Sequence, residues 1–397
     1  MAYPVLKLKK NECRRLRAGH LWVFSNEIDT HATPLSGFTP GETVTVTSHT
    51  GEKLGNAYIN PHALICARLF SHLSHQSLDS EFLHKQIQNA LRLRNDYFAQ
   101  PFYRLVYGES DFLPGLIVDR FHNALVVQTS TLAMDLHQSA IIEALDAVIN
   151  PDVIIVKNDL GARSLESLNS FVEVVKGNPG DTLSVVENDA QFEFSSLQGQ
   201  KTGWFYDHRM NRRAMQSWAK DRNTLDVFSY LGGWGIQAAI AGARQVTCVD
   251  SSASACDLLQ SNAELNKVSE SINIIRQDAF DALSTLNESS EKFDMIILDP
   301  PAFIKRKKDI KQGAAAYQRL NKLALRLLSE NGILISASCS FHFPRNEHLK
   351  VLRNAAYKTG LRLQIVGENK YAPDHPVHPS ISETDYLTCF TLRASRE

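Results

Sequence analysis

Between Pro4 and about Phe70, apolar and polar positions alternate in short runs such as "ETVTVTS" and "ALICARLF", broken by Gly37, Pro40, Gly41, Gly51 and Pro61. Period-two runs at close spacing, with turn residues between them, predict a small β-barrel or sandwich. The polar stretch Ser71 to Ser80 reads as a linker or helix lead-in. A helical run, "EFLHKQIQNALRLRNDYF", follows, and then "GLIVDRFHNALVVQTS", a hairpin turning at His122-Asn123. A helix near Leu136 to Val148 and a strand at "VIIVKND" complete a mixed α/β section. The breaker "KGNPGD" and a further hairpin, "LSVVENDAQFEFSS", lead out of it.

From about Thr224 strands alternate with helices. "TLDVFSYLGG", "QVTCVD", "INIIRQD", "FDMIILDPP" and "ILISASCS" read as strands; "GIQAAIAGA" and "SSASACDLLQSNAELNK" read as helices. "AAYQRLNKLALRLLSENG" predicts an amphipathic helix with Leu320, Leu323 and Leu327 on one face and Gly332 past its end. Such alternation implies a parallel, doubly wound sheet of Rossmann type, whose ligands bind beyond the carboxyl ends of its strands. A late strand, "YLTCFTLRA", follows a Pro-rich loop.

Composition narrows the partners. The chain has 397 residues, 43% hydrophobic and 21% charged, with a net charge of −1, so total charge points to no ligand. If nucleic acid is bound, the cations must be gathered locally. Two clusters qualify, "KLKKNECRRLR" from Lys7 and "KRKKDIK", Lys305 to Lys311. No apolar run reaches membrane-spanning length. The six cysteines are scattered without a CxxC pair, which argues against a zinc site or disulfide framework and for a reducing cytoplasm.

The strand ends carry the candidate chemistry. "FSYLGGWG" supplies Gly232, Gly233 and Gly235, allowing a tight turn and close approach of a ligand to the backbone. Asp250 ends the second strand, where a carboxylate can accept from the two hydroxyls of a ribose. Asp278 ends the third and is placed to hold an adenine amine. Asp299-Pro300-Pro301 ends the fourth, two prolines fixing an acidic side chain at the crevice. Cys339, between Ser338 and Ser340, ends the fifth.

Asp226, "YLGGWG", Asp250, Asp278, "DPPAF" and "SCS" resemble the successive motifs of class I S-adenosylmethionine-dependent methyltransferases. More narrowly, the chain resembles the bacterial ribosomal RNA large-subunit methyltransferase I family, which methylates ring carbon five of a cytosine in 23S rRNA. "GHLWVFSNEI", "YGESDFLPGLIVDRF", "GQKTGWFYDHR" and "DHPVHP" extend the resemblance along nearly the whole chain. Leu231, Ala302, Phe112 and His208 stand where relatives commonly carry Thr, Lys, Gly and Gln.

The resemblance implies a PUA-like RNA-binding domain over 1–75, a central α/β domain over 76–190 and a methyltransferase domain over 191–397. It implies a cofactor site of Phe228, Tyr230, Gly232, Gly233, Gly235, Asp250, Asp278 and Asp299, with Lys201, Asp207 and Arg209 beside it. Pro300, Phe303, Lys305, His342 and His375 fall on the substrate side, with Phe303 or Phe341 able to stack on an extruded base and Phe343 at the pocket mouth. Cys339 and Asp299 become the catalytic pair. A thiolate adding to ring carbon six would make carbon five nucleophilic. Ser338 and Ser340 are then candidates for orienting the thiol, and Asp299, His342, His375 or a water for removing the proton from carbon five. The expected partner is 23S rRNA, with no membrane and a homodimer as one option. Competing readings are an RNA methyltransferase acting on an exocyclic amine, a non-catalytic RNA-binding assembly factor and a nicotinamide dehydrogenase. Cys248 and Cys389 read as small buried hydrophobes.

Overall fold

The computed structural model describes residues 3–199, 201–289 and 291–396. They form two compact units: the first combines residues up to 183 with 195–206 and 373–384, and the second holds 184–194, 207–372 and the residues from 385 on.

In the first unit Val5–Lys7, Thr43–Thr47, Lys53–Ile59, Ile65–Ser71 and Trp22–Phe24 pair in that order into a five-stranded sheet. The apolar positions of the alternating runs, among them Leu6, Val23, Val44, Ile59 and Leu69, meet in one core, which Ile381 of the late segment joins. Gly55 sits at φ +144°, where a Cβ would lie 2.3 Å from the Ser71 carbonyl oxygen, so this crossing admits only glycine.

A second five-stranded sheet runs Phe171–Lys176, Val153–Asn158, Ala124–Thr129, Leu116–Phe121, Phe102–Tyr107. Its one parallel pair, Ala124–Thr129 with Val153–Asn158, is joined by the helix Gln138–Ile149, as a parallel crossover requires. Asp79 caps the helix Ser80–Tyr97 by accepting from the Phe82 N–H. Phe82, Leu83, Ile87 and Ala90 face the core, and Arg94 falls on the same stripe, fully buried. Asp111 answers that charge with two hydrogen bonds of 2.7 Å, while the Arg104 and Asp374 carbonyls accept from the remaining guanidinium N–H groups at 2.8 and 3.0 Å.

The second unit is built on one seven-stranded sheet. After helix α1 (Arg209–Ala219) come β1 (Asn223–Val227), α2 (Gly235–Ile240), β2 (Gln245–Asp250), α3 (Ala253–Leu265), β3 (Ile272–Arg276) and α4 (Ala279–Glu288). Then follow β4 (Phe293–Leu298), α5 (Ile310–Leu327), β5 (Leu328–Ser338), α6 (Arg345–Tyr357), β6 (Leu361–Asn369) and β7 (Thr388–Arg396). The spatial order is β3-β2-β1-β4-β5-β7-β6, with β7 antiparallel to both neighbours and the first five strands parallel. The order reverses between β1 and β4, the switch point at which such sheets bind ligands.

One boundary differs from the sequence reading. Helix α5 stops at Leu327 rather than reaching Gly332, because Leu328 already pairs with Phe293 of β4. Residues 329–332 bulge out with Asn331 left-handed at φ 58°, and pairing resumes at Ile333. Strand pairing here overrides a helical period that runs on through "LLSENG".

Candidate active site at the carboxyl edge of the sheet

The loop after β1 is shaped by three hydrogen bonds to buried or fixed oxygens. The Gly235 N–H donates to Asp226 Oδ2 at 2.9 Å, the Tyr230 N–H to Asp250 Oδ2 at 2.9 Å, and the Val249 N–H to Ser229 Oγ at 3.0 Å. These hold Phe228 and Tyr230 at positive φ, 68° and 49°, where a non-glycine residue is strained by roughly 1–3 kcal/mol. Gly232, at φ 85°, completes the turn, and Gly233 and Gly235 lie buried beside it. Burial pushes the Asp226 carboxyl up to about 7, with the charges of Asp299 and Asp250 adding to the effect.

Asp250 stands half-buried at the end of β2, one oxygen held by Tyr230 and the other accepting from the Ser252 N–H at 2.9 Å. Each oxygen keeps a lone pair for a further donor, the pattern a vicinal diol requires. Asp278 is exposed and N-caps α4, Oδ1 accepting from the Phe280 N–H at 2.8 Å. Beyond these carboxylates Phe228, Phe280 and Phe303 form a half-buried aromatic wall, with Phe303 centroids 6.4 and 6.2 Å from the other two.

Asp299, just past β4, is fixed from two sides. Trp234 Nε1–H donates to Oδ2 at 2.9 Å, and His208 Nε2 lies 3.2 Å from Oδ1. Burial alone would raise this carboxyl, but the facing His208 and the Trp234 hydrogen bond outweigh it and hold it below the usual range. Burial alone would likewise lower His208; the Asp299 charge reverses the sign and raises it. Neither partner carries a role in the strand-end motifs: His208 is a departure from the family pattern, and Trp234 lies among the glycines of "GGWG".

Cys339 is the half-exposed cysteine; the other five are buried. Its thiol lies 3.8 Å from the Pro300 carbonyl oxygen, at the end of β5 beside the end of β4. Burial holds the Cys248 thiol well above its ordinary range and also raises Cys389, so both behave as the apolar residues expected. Both flanking serines engage Tyr317. Ser338 Oγ donates to the Tyr317 hydroxyl at 2.8 Å, and Ser340 Oγ lies 3.0 Å from the same oxygen, so Tyr317 of α5 clamps the backbone on both sides of Cys339. Burial pushes that phenol up to about 12, keeping it protonated. Phe343 is core rather than pocket mouth: it is 1% exposed and stacks on Tyr317 at 4.6 Å.

The remaining expected residues divide between the two units. His342 is half-buried and its ring lies 5.0 Å from Phe341, and Lys305 is exposed after β4. Asp207 accepts from the Tyr386 hydroxyl at 2.6 Å, and Arg209 lies 3.6 Å from the buried Glu187, which Arg212 also pairs. Lys201 and His375 belong to the first unit, Lys201 over the Phe205 ring and His375 buried beside Asp374 and Tyr107. No helix among the described residues is long and apolar enough to cross a membrane.

Comparison with known proteins adds three findings. Residues 6–72 match a PUA-like domain, and residues 117–363 match an S-adenosylmethionine-dependent methyltransferase family model. The chain is 34% identical over 391 residues to ribosomal RNA large subunit methyltransferase I of Cronobacter sakazakii, covering 97% of this chain and 98% of that one. The protein of that name from Shigella boydii serotype 18 is 33% identical, with 98% of each chain covered. Among solved structures, a candidate methyltransferase complexed with S-adenosylhomocysteine superposes with a TM-score of 0.85 at 20% identity, covering 99% of this chain and all (100%) of that one. A candidate methyltransferase from Streptococcus mutans gives 0.84 at 20% identity, covering 98% and 100%.

Proposed function

Because the chain belongs to the S-adenosylmethionine-dependent methyltransferases and, among them, to the ribosomal RNA large subunit methyltransferase I family, we propose that it methylates ring carbon five of a cytosine in 23S rRNA through a covalent bond to Cys339. The observation that carries this reading is the Cys339 thiol, half-exposed at the carboxyl edge of the sheet and 3.8 Å from the Pro300 carbonyl.

The residues present suit S-adenosylmethionine: the remaining lone pairs of Asp250 for a ribose, the aromatic wall of Phe228, Phe280 and Phe303 for a base face, and the strained turn at Phe228 and Tyr230 that fixes the backbone against Asp250. When bound, it supplies an electrophilic methyl group. Cytosine carbon five is too weak a nucleophile to use that group unaided, which is the task of Cys339. Its thiolate bonds to carbon six, and the displaced electron pair moves onto carbon five, where it would form the new carbon–carbon bond to the methyl group as the old methyl–sulfur bond breaks and its pair stays on the cofactor sulfur. Asp299, kept ionised by His208 and Trp234, accepts from the exocyclic amine and then takes the proton from carbon five. The pair left by that C–H bond restores the ring double bond as the carbon–sulfur bond breaks and the thiolate returns.

Cys339→Ala should abolish methyl transfer while leaving S-adenosylmethionine affinity by calorimetry unchanged. An rRNA fragment carrying 5-fluorocytosine at the target has no proton on carbon five to lose, so it should trap the parent protein as an adduct that survives denaturing electrophoresis, and the variant should give none. Full transfer by Cys339→Ala would sink the carbon-five mechanism and leave exocyclic-amine methylation in its place. Mapping 23S rRNA from a strain lacking the gene identifies the nucleotide.

A further inference from the structure

Helices α5 and α6 pack side by side and leave a groove of about 430 Å³ on their outer face. Its walls are two matching stripes. On α5 they are Lys311, Ala314, Ala315, Gln318, Arg319 and Lys322, and on α6 Glu347, Lys350, Val351 and Asn354, with Lys358 just past its end. Arg319 apart, which lies over the Phe280 ring, both follow i, i+3, i+4, i+7, i+11, the spacing that ordinarily carries the apolar seam of a helix pair. Here the seam positions hold four lysines, and the one carboxylate, Glu347, is 3.2 Å from Lys350. In a chain of net charge −1 this is a local concentration of positive charge.

Each stripe extends about 16 Å along its helix, at ~1.5 Å rise per residue. A small anion meets one lysine of such a track; a polymer with a charge every few ångströms meets them all. The track also has a direction. Exposed Lys305, Arg306, Lys307 and Lys308 connect Phe303, beyond β4, to the groove end at Lys311.

We propose that the α5–α6 groove binds the phosphate backbone of the RNA substrate, leading it from the end of β4 along the outer face of the second unit. This rests on the reading of the chain as an rRNA methyltransferase. It assigns to the outer helices a share of binding that the strand ends alone do not supply.

The test is the full chain with Lys311→Ala, Lys322→Ala and Lys358→Ala together, titrated with a 23S rRNA transcript across a salt series. Binding should weaken by roughly tenfold, and the slope of log affinity against log salt should fall by about two to three, near one per lost phosphate contact. The thermal midpoint and the S-adenosylmethionine affinity should not move. The triple variant to Arg, which keeps the charge, should retain both affinity and slope. Unchanged affinity and slope in the Ala variant, while the parent methylates the transcript, overturn the groove and leave the enzyme assignment standing. Equal losses in the Ala and Arg variants overturn it too, since charge would not be the cause. A parent protein that methylates no rRNA overturns the underlying reading and the groove with it.

Discussion

His208 and Asp299 hold each other charged, with Asp207 supporting the imidazolium and Arg212 opposing it. The depressed Asp299 contributes stability that is present above the unfolded carboxyl range, near ~4, and lost as pH falls through its folded value. The raised His208 contributes stability that is full below ~6.5 and fades as pH climbs through its folded value. The pair therefore stabilises most between roughly pH 4 and 6.5. His208→Gln should abolish the alkaline decline in a plot of thermal midpoint against pH, and should shift the acid limb of kcat/KM upward as Asp299 loses its partner. Parallel curves above pH 6.5 for parent and variant would refute the coupling. Tyr317→Phe leaves two buried serine hydroxyls without their shared partner, a loss of about 1–3 kcal/mol in chemical denaturation. At this scale the sequence was legible where a residue ends a strand, as Asp250, Asp299 and Cys339 do. The partners of Asp299 and of Ser338 and Ser340 were not, because His208, Trp234 and Tyr317 reach them from distant segments that no local pattern connects.

Elements depend on a few buried charges set into otherwise apolar stripes. Asp111→Ala strands Arg94 inside the helix–sheet core, and about 3–5 kcal/mol should be lost in denaturant unfolding. Asp226 works with the opposite sign from Asp299: its folded value, about 7, lies above its unfolded one, so stability falls as pH rises from roughly 4 to 7. Asp226→Asn should be more stable than the parent above pH 7 by up to a few kcal/mol, the gap closing toward pH 4. A gap independent of pH would show that burial of the carboxylate is not the cause. The alternation of β1 to β5 with helices was readable because Gly, Pro, Ser or Asp bounds each apolar run. The end of α5 was not, since the pairing of Leu328 with Phe293 is a tertiary fact.

At the scale of the whole molecule the chain leaves each unit and returns to it. The first unit needs residues 373–384: the Asp374 carbonyl accepts from Arg94, its carboxylate from the Arg104 N–H at 3.1 Å, and Ile381 fills the first core. A fragment ending near residue 206 should therefore exchange its Arg94 and Arg104 amides faster than the full chain does, as hydrogen exchange would register. Equal protection would mean the late segment is dispensable. The sequence puts "DHPVHP", through His375, on the substrate side, and nothing local says which core the following Ile381 enters. The same return path sets an order of events during synthesis. Chains emerge amino end first at about 5–20 residues per second, so the first unit waits, unfinished, until nearly all of the second has been made. A ribosome paused in β6 would therefore hold a chain whose Arg94 lacks one of its acceptors, exposing to chaperones or proteases a defect far from the stall.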